Sequence, residues 1–300
     1  YPLCSLIAMG LTPLISAEWN WRVQLLIPAI LSLIATALAW RYFPESPRWL
    51  ESRGRYQEAE KVMRSIEEGV IRQTGKPLPP VVIADDGKAP QAVPYSALLT
   101  GVLLKRVILG SCVLIAMNVV QYTLINWLPT IFMTQGINLK DSIVLNTMSM
   151  FGAPFGIFIA MLVMDKIPRK TMGVGLLILI AVLGYIYSLQ TSMLLITLIG
   201  FFLITFVYMY VCYASAVYVP EIWPTEAKLR GSGLANAVGR ISGIAAPYAV
   251  AVLLSSYGVT GVFILLGAVS IIVAIAIATI GIETKGVSVE SLSIDAVVNK

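Results

Sequence analysis

Residues 236–250 read NAVGRISGIAAPYAV, and Arg240 is the single charge among them. A guanidinium stays charged at any physiological pH and offers a planar fork of N–H donors. Its chemistry is therefore the recognition of an oxyanion, not proton transfer. A second group of charges sits around short loops, with Asp165 and Arg169 in one and Glu221 and Arg230 in another. Carboxylates and guanidiniums placed at helix ends suit charge-assisted pairs between neighbouring elements. Hydrolytic and metal chemistry find no support. The chain has no histidine, and its three cysteines, Cys4, Cys112 and Cys212, lie in separate apolar runs without CxxC spacing. We expect no metal, no cofactor and no enzyme.

The elements that hold these residues follow from composition. Of the 300 residues, 58% are hydrophobic and 12% are charged, with a mean hydropathy of +0.84. Soluble domains average about 25% charged residues, so a multi-spanning membrane protein is expected, with the lipid bilayer as its surroundings. The sequence pI of 9.1 reflects basic loops and not a nucleic-acid partner. A membrane helix needs about 20 mostly apolar residues. Eight segments qualify: 1–16, 22–42, 106–134, 142–164, 171–189, 192–219, 230–256 and 259–281. The chain opens at Tyr1 in an apolar run with no basic leader, so we expect it to begin inside a helix.

A polar segment at 43–105 interrupts this pattern and separates two spans from six. Its first part, SPRWLESRGRYQEAEKVMRSIEEG, carries apolar residues at helical spacing and is expected to form amphipathic helices. The part from Gln73 to Pro94 reads as irregular. Basic residues set the orientation. Of 21 Lys and Arg, eighteen fall on alternate loops and the tail, whereas only Arg22 and Lys140 fall on the opposite side. This places the long loop and the C-terminus in the cytoplasm.

Several motifs resemble those of the major facilitator superfamily, in its branch of sugar porters and organic-ion transporters. PESPRWL at 44–50, followed by RGRYQEA at 53–59, is similar to that branch's intracellular-loop signature. MDKIPRK at 164–170 resembles the D-K-x-G-R-K loop motif, PEIWPTEAKLRGSG at 220–233 the P-E-x-x-P-T-x-x-R-G-x-G motif, and IETKG at 282–286 the P-E-T-K-G motif. Pro168 stands where the family has glycine, which puts the tight turn at 167–169 in question, and Ile282 stands where it has proline. The resemblance implies an all-α membrane protein holding helices five to twelve of a twelve-helix bundle. Residues 1–42 would be the last two helices of the first half, 43–105 a cytoplasmic linker, 106–281 the second half and 282–300 a tail. It further implies a monomeric secondary transporter, working by alternating access on a small-molecule substrate, with proton coupling through an acid outside these spans. The charged groups Glu45, Arg48, Asp165, Arg169, Glu221, Arg230 and Glu283 would then latch one arrangement of the bundle.

A solute site in such a carrier belongs near the midplane, among polar groups on apolar helices. Asn118, Gln121, Tyr122 and Asn126 share one broad face of the seventh helix in that count. Asn146 opens the eighth, Tyr210 and Tyr213 lie in the tenth, and Asn236 precedes Arg240 in the eleventh. Arg240 lies ten residues beyond Arg230, which at 1.5 Å per residue is roughly 15 Å, about half of the hydrocarbon layer. An arginine there costs at least about 3 kcal/mol unless it meets water or an anion. Because no Asp or Glu lies within any span, its partner is a solute anion, water or a group on another helix. The organic-anion branch also carries an arginine in this helix, and NWLPTIF at 126–132 resembles bacterial aromatic-acid and nicotinate-type carriers. The sugar-porter patterns Q-Q-x-S-G and G-P-x-P-W are missing. An organic acid, aromatic acids included, therefore ranks above a sugar as substrate, and a non-transporting membrane sensor is the reading from another class.

Overall fold

The computed structural model describes residues 6–7, 10–11, 14–77, 94–190, 192–224 and 227–286. Most of the first predicted span lies outside them, as does much of the segment read as irregular. The described residues form helices and the turns between them. Six helical runs are long and apolar enough to cross a membrane. The chain divides into two compact units, 10–89 and 90–300 together with 1–9.

In the unit 10–89, α1 spans Ala17–Tyr42, α2 Pro47–Ser52 and α3 Tyr56–Thr74. At the start of α1 the Arg22 guanidinium lies over Trp21, 4.5 Å from its ring centroid, and also over Trp19. Such an aromatic–basic cluster suits a membrane–water interface. α3 is amphipathic as its spacing predicts, and its charged face carries an Arg55–Glu58 pair at 2.5 Å. It stops at Gly75, which takes the left-handed conformation (φ 64°) that a residue without Cβ adopts at little cost.

The other unit is a helical bundle. After the short α4 (Tyr95–Leu98) come α5 (Gly101–Thr134), α6 (Leu139–Met150) and α7 (Gly152–Val163). They are followed by α8 (Arg169–Ser188) and α9 (Met193–Val211). α9 runs on through a π-helical stretch, Cys212–Tyr218, to Val219–Glu221. α10, Lys228–Ile280, contains two of the predicted spans, broken at Gly258 with φ 65° and ψ −160°. That break falls inside the predicted turn SYGVT, at a glycine that can take positive φ.

Interior packing relies on close backbone approach. A Cβ at Gly239 of α10 would lie 2.9 Å from both the Leu114 Cβ and the Asn118 Nδ2 of α5. Cβ atoms at Gly152 and Gly156 of α7 would overlap the backbone carbonyls of Phe201 and Thr205 on α9. Small residues at such contacts let membrane helices gain dispersion contacts where lipid offers no hydrophobic drive. Large apolar and aromatic side chains, including Leu114, Phe132, Tyr210, Tyr213, Tyr218 and Trp223, fill the remaining core.

The sequence expectations need three adjustments. α5 begins at Gly101, five residues before the predicted start, so Arg106 is not a loop charge. It lies within the helix, 3% exposed, and its NH1 donates to the Ile222 carbonyl at 2.9 Å. The span predicted at 142–164 is divided at Phe151 into α6 and α7. The turn at 167–169 forms without positive φ, since Pro168 is extended (φ −56°, ψ 139°) and caps α8. Proline suits a position where no backbone N–H is required.

Candidate functional site

Arg240 projects from an exposed face of α10, and its NH1 donates a 2.5 Å hydrogen bond to the Tyr122 hydroxyl of α5. Two of the predicted residues are thereby brought together across a helix interface. Gly243 shapes the contact, since a Cβ there would sit 3.1 and 3.2 Å from the Tyr122 ring. A phenol can solvate a guanidinium but cannot neutralise it. The positive charge therefore has no ion-pair partner among the described residues. Asn236, one turn before Arg240, is exposed and returns its amide to the Ser232 carbonyl.

The other predicted substrate residues separate by burial. Asn118 is 2% exposed and donates to the Leu114 carbonyl at 2.8 Å, so it packs beneath Gly239. Gln121 is half-buried and Asn126 exposed on α5. Asn146 is half-buried, and its Oδ1 has no partner among the described residues. Tyr210 and Tyr213 belong to the core, not to an open cavity. Tyr210 is 1% exposed and donates to the Val113 carbonyl at 3.1 Å. The Tyr213 ring stacks on Tyr218 with centroids 5.0 Å apart and planes 15° from parallel.

The charged motifs converge at one end of the bundle. Arg169 opens α8 and holds Glu221 in a two-pronged contact, Nε to Oε2 at 3.0 Å and NH2 to Oε1 at 3.1 Å. Its NH2 also reaches Asp165 Oδ1 at 3.3 Å, and its NH1 bonds the Met164 carbonyl. The Arg169 side chain is 7% exposed and Glu221 34%, whereas Asp165 is 90% exposed. Thr284 adds a hydroxyl donor to Glu221 Oε2 at 2.5 Å.

Glu283 closes the assembly from the far end of the chain. Its Oε1 accepts from the Arg169 amide at 2.7 Å and its Oε2 from the Lys170 amide at 3.2 Å. A carboxylate is thus seated on the free N–H groups that begin α8. Burial alone would raise this carboxyl, but the amides of Arg169, Lys170 and Lys285 outweigh that effect and hold it below the usual carboxylate range. Lys285 Nζ donates to the Lys166 carbonyl at 2.7 Å.

Of the predicted latch residues, Asp165, Arg169, Glu221 and Glu283 meet in this cluster. Arg230 lies over the Tyr95 ring at 5.3 Å. Glu45 is exposed in the other unit, and the Arg48 side chain is outside the described residues. The sequence reading overlooked Tyr218, whose hydroxyl accepts from the Ile282 amide at 3.0 Å and donates to the Ile282 carbonyl at 3.1 Å. It also overlooked Thr284 and the burial of Arg106. For Tyr218 the sequence held no usable signal, because its separation of five residues from Tyr213 places both rings on one side only in a π-helix.

Comparison with known proteins agrees with this architecture. Residues 3–296 match the sequence model of the family described as "Sugar (and other) transporter". The inner membrane metabolite transport protein YdjE of Escherichia coli is 45% identical over 279 residues, covering 92% of this chain and 62% of that protein. The niacin transporter NiaP of Acinetobacter baylyi is 25% identical over 290 residues, covering 96% of this chain and 65% of that protein. The chain thus spans somewhat less than two thirds of the length of these relatives. The fold is also that of the major facilitator superfamily proton:xylose symporter XylE, solved with 6-bromo-6-deoxy-D-glucose. That match has a TM-score of 0.60 and 22% identity, covering 97% of this chain and 63% of the symporter. Motifs, helical architecture and sequence agree: the chain belongs to the sugar (and other) transporter family of the major facilitator superfamily.

Proposed function

We propose that this chain belongs to a secondary active transporter that carries a small organic acid across the membrane by alternating access. The observation that carries this reading is Arg240, an exposed guanidinium whose hydrogen-bonding partner is a neutral phenol, at a position that residue spacing puts roughly 15 Å beyond Arg230. A fixed cation in that position has most to gain from a solute anion. Asn236 and Tyr122 flank it as further contacts, with Gln121 and Asn126 on the facing helix and Asn146 on α6. The niacin transporter among the relatives supports an aromatic acid. Proton coupling fits the reading, with its titrating acid supplied by helices beyond these spans.

In the same reading residues 1–42 complete the first half of a twelve-helix bundle, 43–105 form a cytoplasmic linker and 106–281 form the second half, with the C-terminus in the cytoplasm. The Arg169–Glu221–Glu283 cluster latches the cytoplasmic ends in one state and opens in the other.

A sugar is the second reading, favoured by the family description, and its motifs in the seventh and tenth helices are the ones this sequence lacks. Uptake of labelled benzoate, nicotinate and xylose by cells making the protein separates the two. Uptake of the acids that collapses with a protonophore supports the first reading. Uptake of xylose alone supports the second, and no uptake across a broad panel of acids and sugars favours a sensor.

A further inference from the structure

The exposed face of α10 extends past Arg240 to Ile244 and Tyr248, which are 68% and 75% exposed. Between Arg230 and the break at Gly258, Arg240 is the only charged residue. The face therefore offers one cation beside an apolar strip. Tyr122 adds a direction. Its hydroxyl oxygen accepts from Arg240 NH1, and this is the one hydrogen bond recorded for it among the described residues. The hydroxyl hydrogen must then point away from the cation, because a donor turned toward a guanidinium would be repelled. Gly243, against the Tyr122 ring, leaves room for the ring and so for the hydroxyl at this place. The remaining Arg240 N–H groups and the Tyr122 O–H thus form two adjacent donors, spaced by a single short hydrogen bond.

We propose that this pair clamps a monocarboxylate with an apolar body, one carboxylate oxygen on Arg240 and the other on the Tyr122 O–H, the body lying along Ile244 and Tyr248. This rests on the organic-acid reading above and narrows it. A dicarboxylate would leave its second charge over the apolar strip without a cation, which is strongly unfavourable away from water. A neutral amide of the same shape forfeits the charge-assisted bonds.

The test is calorimetric binding of benzoate, terephthalate and benzamide to the purified native protein in lipid nanodiscs. The variants are Tyr122→Phe, which keeps the ring and its packing, and Arg240→Ala. Benzoate should bind the wild type at least tenfold more tightly than either terephthalate or benzamide. Tyr122→Phe should weaken benzoate roughly ten- to a hundredfold, the range for one hydrogen bond to a charged group, and should leave benzamide much less affected. If Tyr122→Phe binds benzoate like the wild type while Arg240→Ala does not, the clamp is overturned and the organic-acid reading survives. Terephthalate binding as tightly as benzoate overturns the single-charge selectivity. If neither acid binds the wild type, both the clamp and the organic-acid reading fail.

Discussion

Arg240 of α10 and Tyr122 of α5 share a 2.5 Å hydrogen bond across a helix interface. The two residues are far apart in the chain, and their meeting depends on the missing Cβ atoms of Gly239 and Gly243, which let the helices approach. Geometry and charge at this point are therefore set together.

Gly239→Ala would place a methyl group 2.9 Å from Leu114 Cβ and Asn118 Nδ2, with the Leu114 backbone carbonyl carbon at 3.3 Å. We expect destabilisation of about 1–3 kcal/mol from overpacking, read as a lower midpoint of thermal unfolding in detergent. Gly243→Ala meets only the edge of the Tyr122 ring at 3.1–3.2 Å. It should cost less stability but weaken benzoate binding by displacing Tyr122. Equal effects of the two substitutions on both readouts would contradict this division.

At the other cluster, geometry ranks the carboxylates. Glu221 is two-pronged on a buried Arg169, whereas Asp165 is 90% exposed and reaches it once. Glu221→Gln should cost about 1–3 kcal/mol of stability and lower transport more than it lowers the amount of protein in the membrane. Asp165→Asn should cost at most about 0.5 kcal/mol. Uptake normalised to surface protein, measured beside thermal unfolding, checks both. Normalised uptake unchanged in Glu221→Gln would remove the latch role.

Glu283 gives a pH dependence with a definite sign. Its carboxyl is held below the ordinary range in the folded protein, so the folded state favours the ionised form. The stability this contributes is present above the unfolded carboxylate pKa of about 4.3 and is lost as pH falls through the lower folded value. The unfolding midpoint of the wild type should exceed that of Glu283→Gln at pH 7, with the gap closing as pH drops below about 4. A gap that widens on acidification would contradict the arrangement.

Tyr218→Phe removes both hydrogen bonds to Ile282 while retaining the ring that stacks on Tyr213. A loss of about 1–2 kcal/mol is expected, together with faster proteolysis after residue 281. Unchanged proteolysis would mean that the segment is held by Glu283 and Thr284 alone.

Much of this was legible in the sequence. Runs of apolar residues marked the spans, and the glycine in SYGVT marked the break in α10. The motif carboxylates and arginines indicated the Arg169–Glu221 contact, because charges confined to short loops have few places to go. The rest was hidden for physical reasons. In a membrane protein, a tyrosine on an apolar helix can face the core or a cavity with the same neighbours in sequence, so Tyr210 and Tyr213 could not be told from Tyr122. The partner of Arg240 was hidden too, because a phenol bonds a guanidinium without advertising itself as a counter-ion. Arg106 stands at a span boundary, where a loop charge and a buried charge read alike. The π-helical turn at Cys212–Tyr218 depends on packing between helices and has no local signature in this stretch.

The most direct measurement is uptake of labelled benzoate, at equal surface protein, by the wild type and by Arg240→Lys and Arg240→Ala. The account predicts saturable uptake by the wild type, a reduced rate with the lysine, which keeps the charge but not the planar fork, and uptake at background level with the alanine. Equal uptake of the anion by the wild type and Arg240→Ala would contradict it.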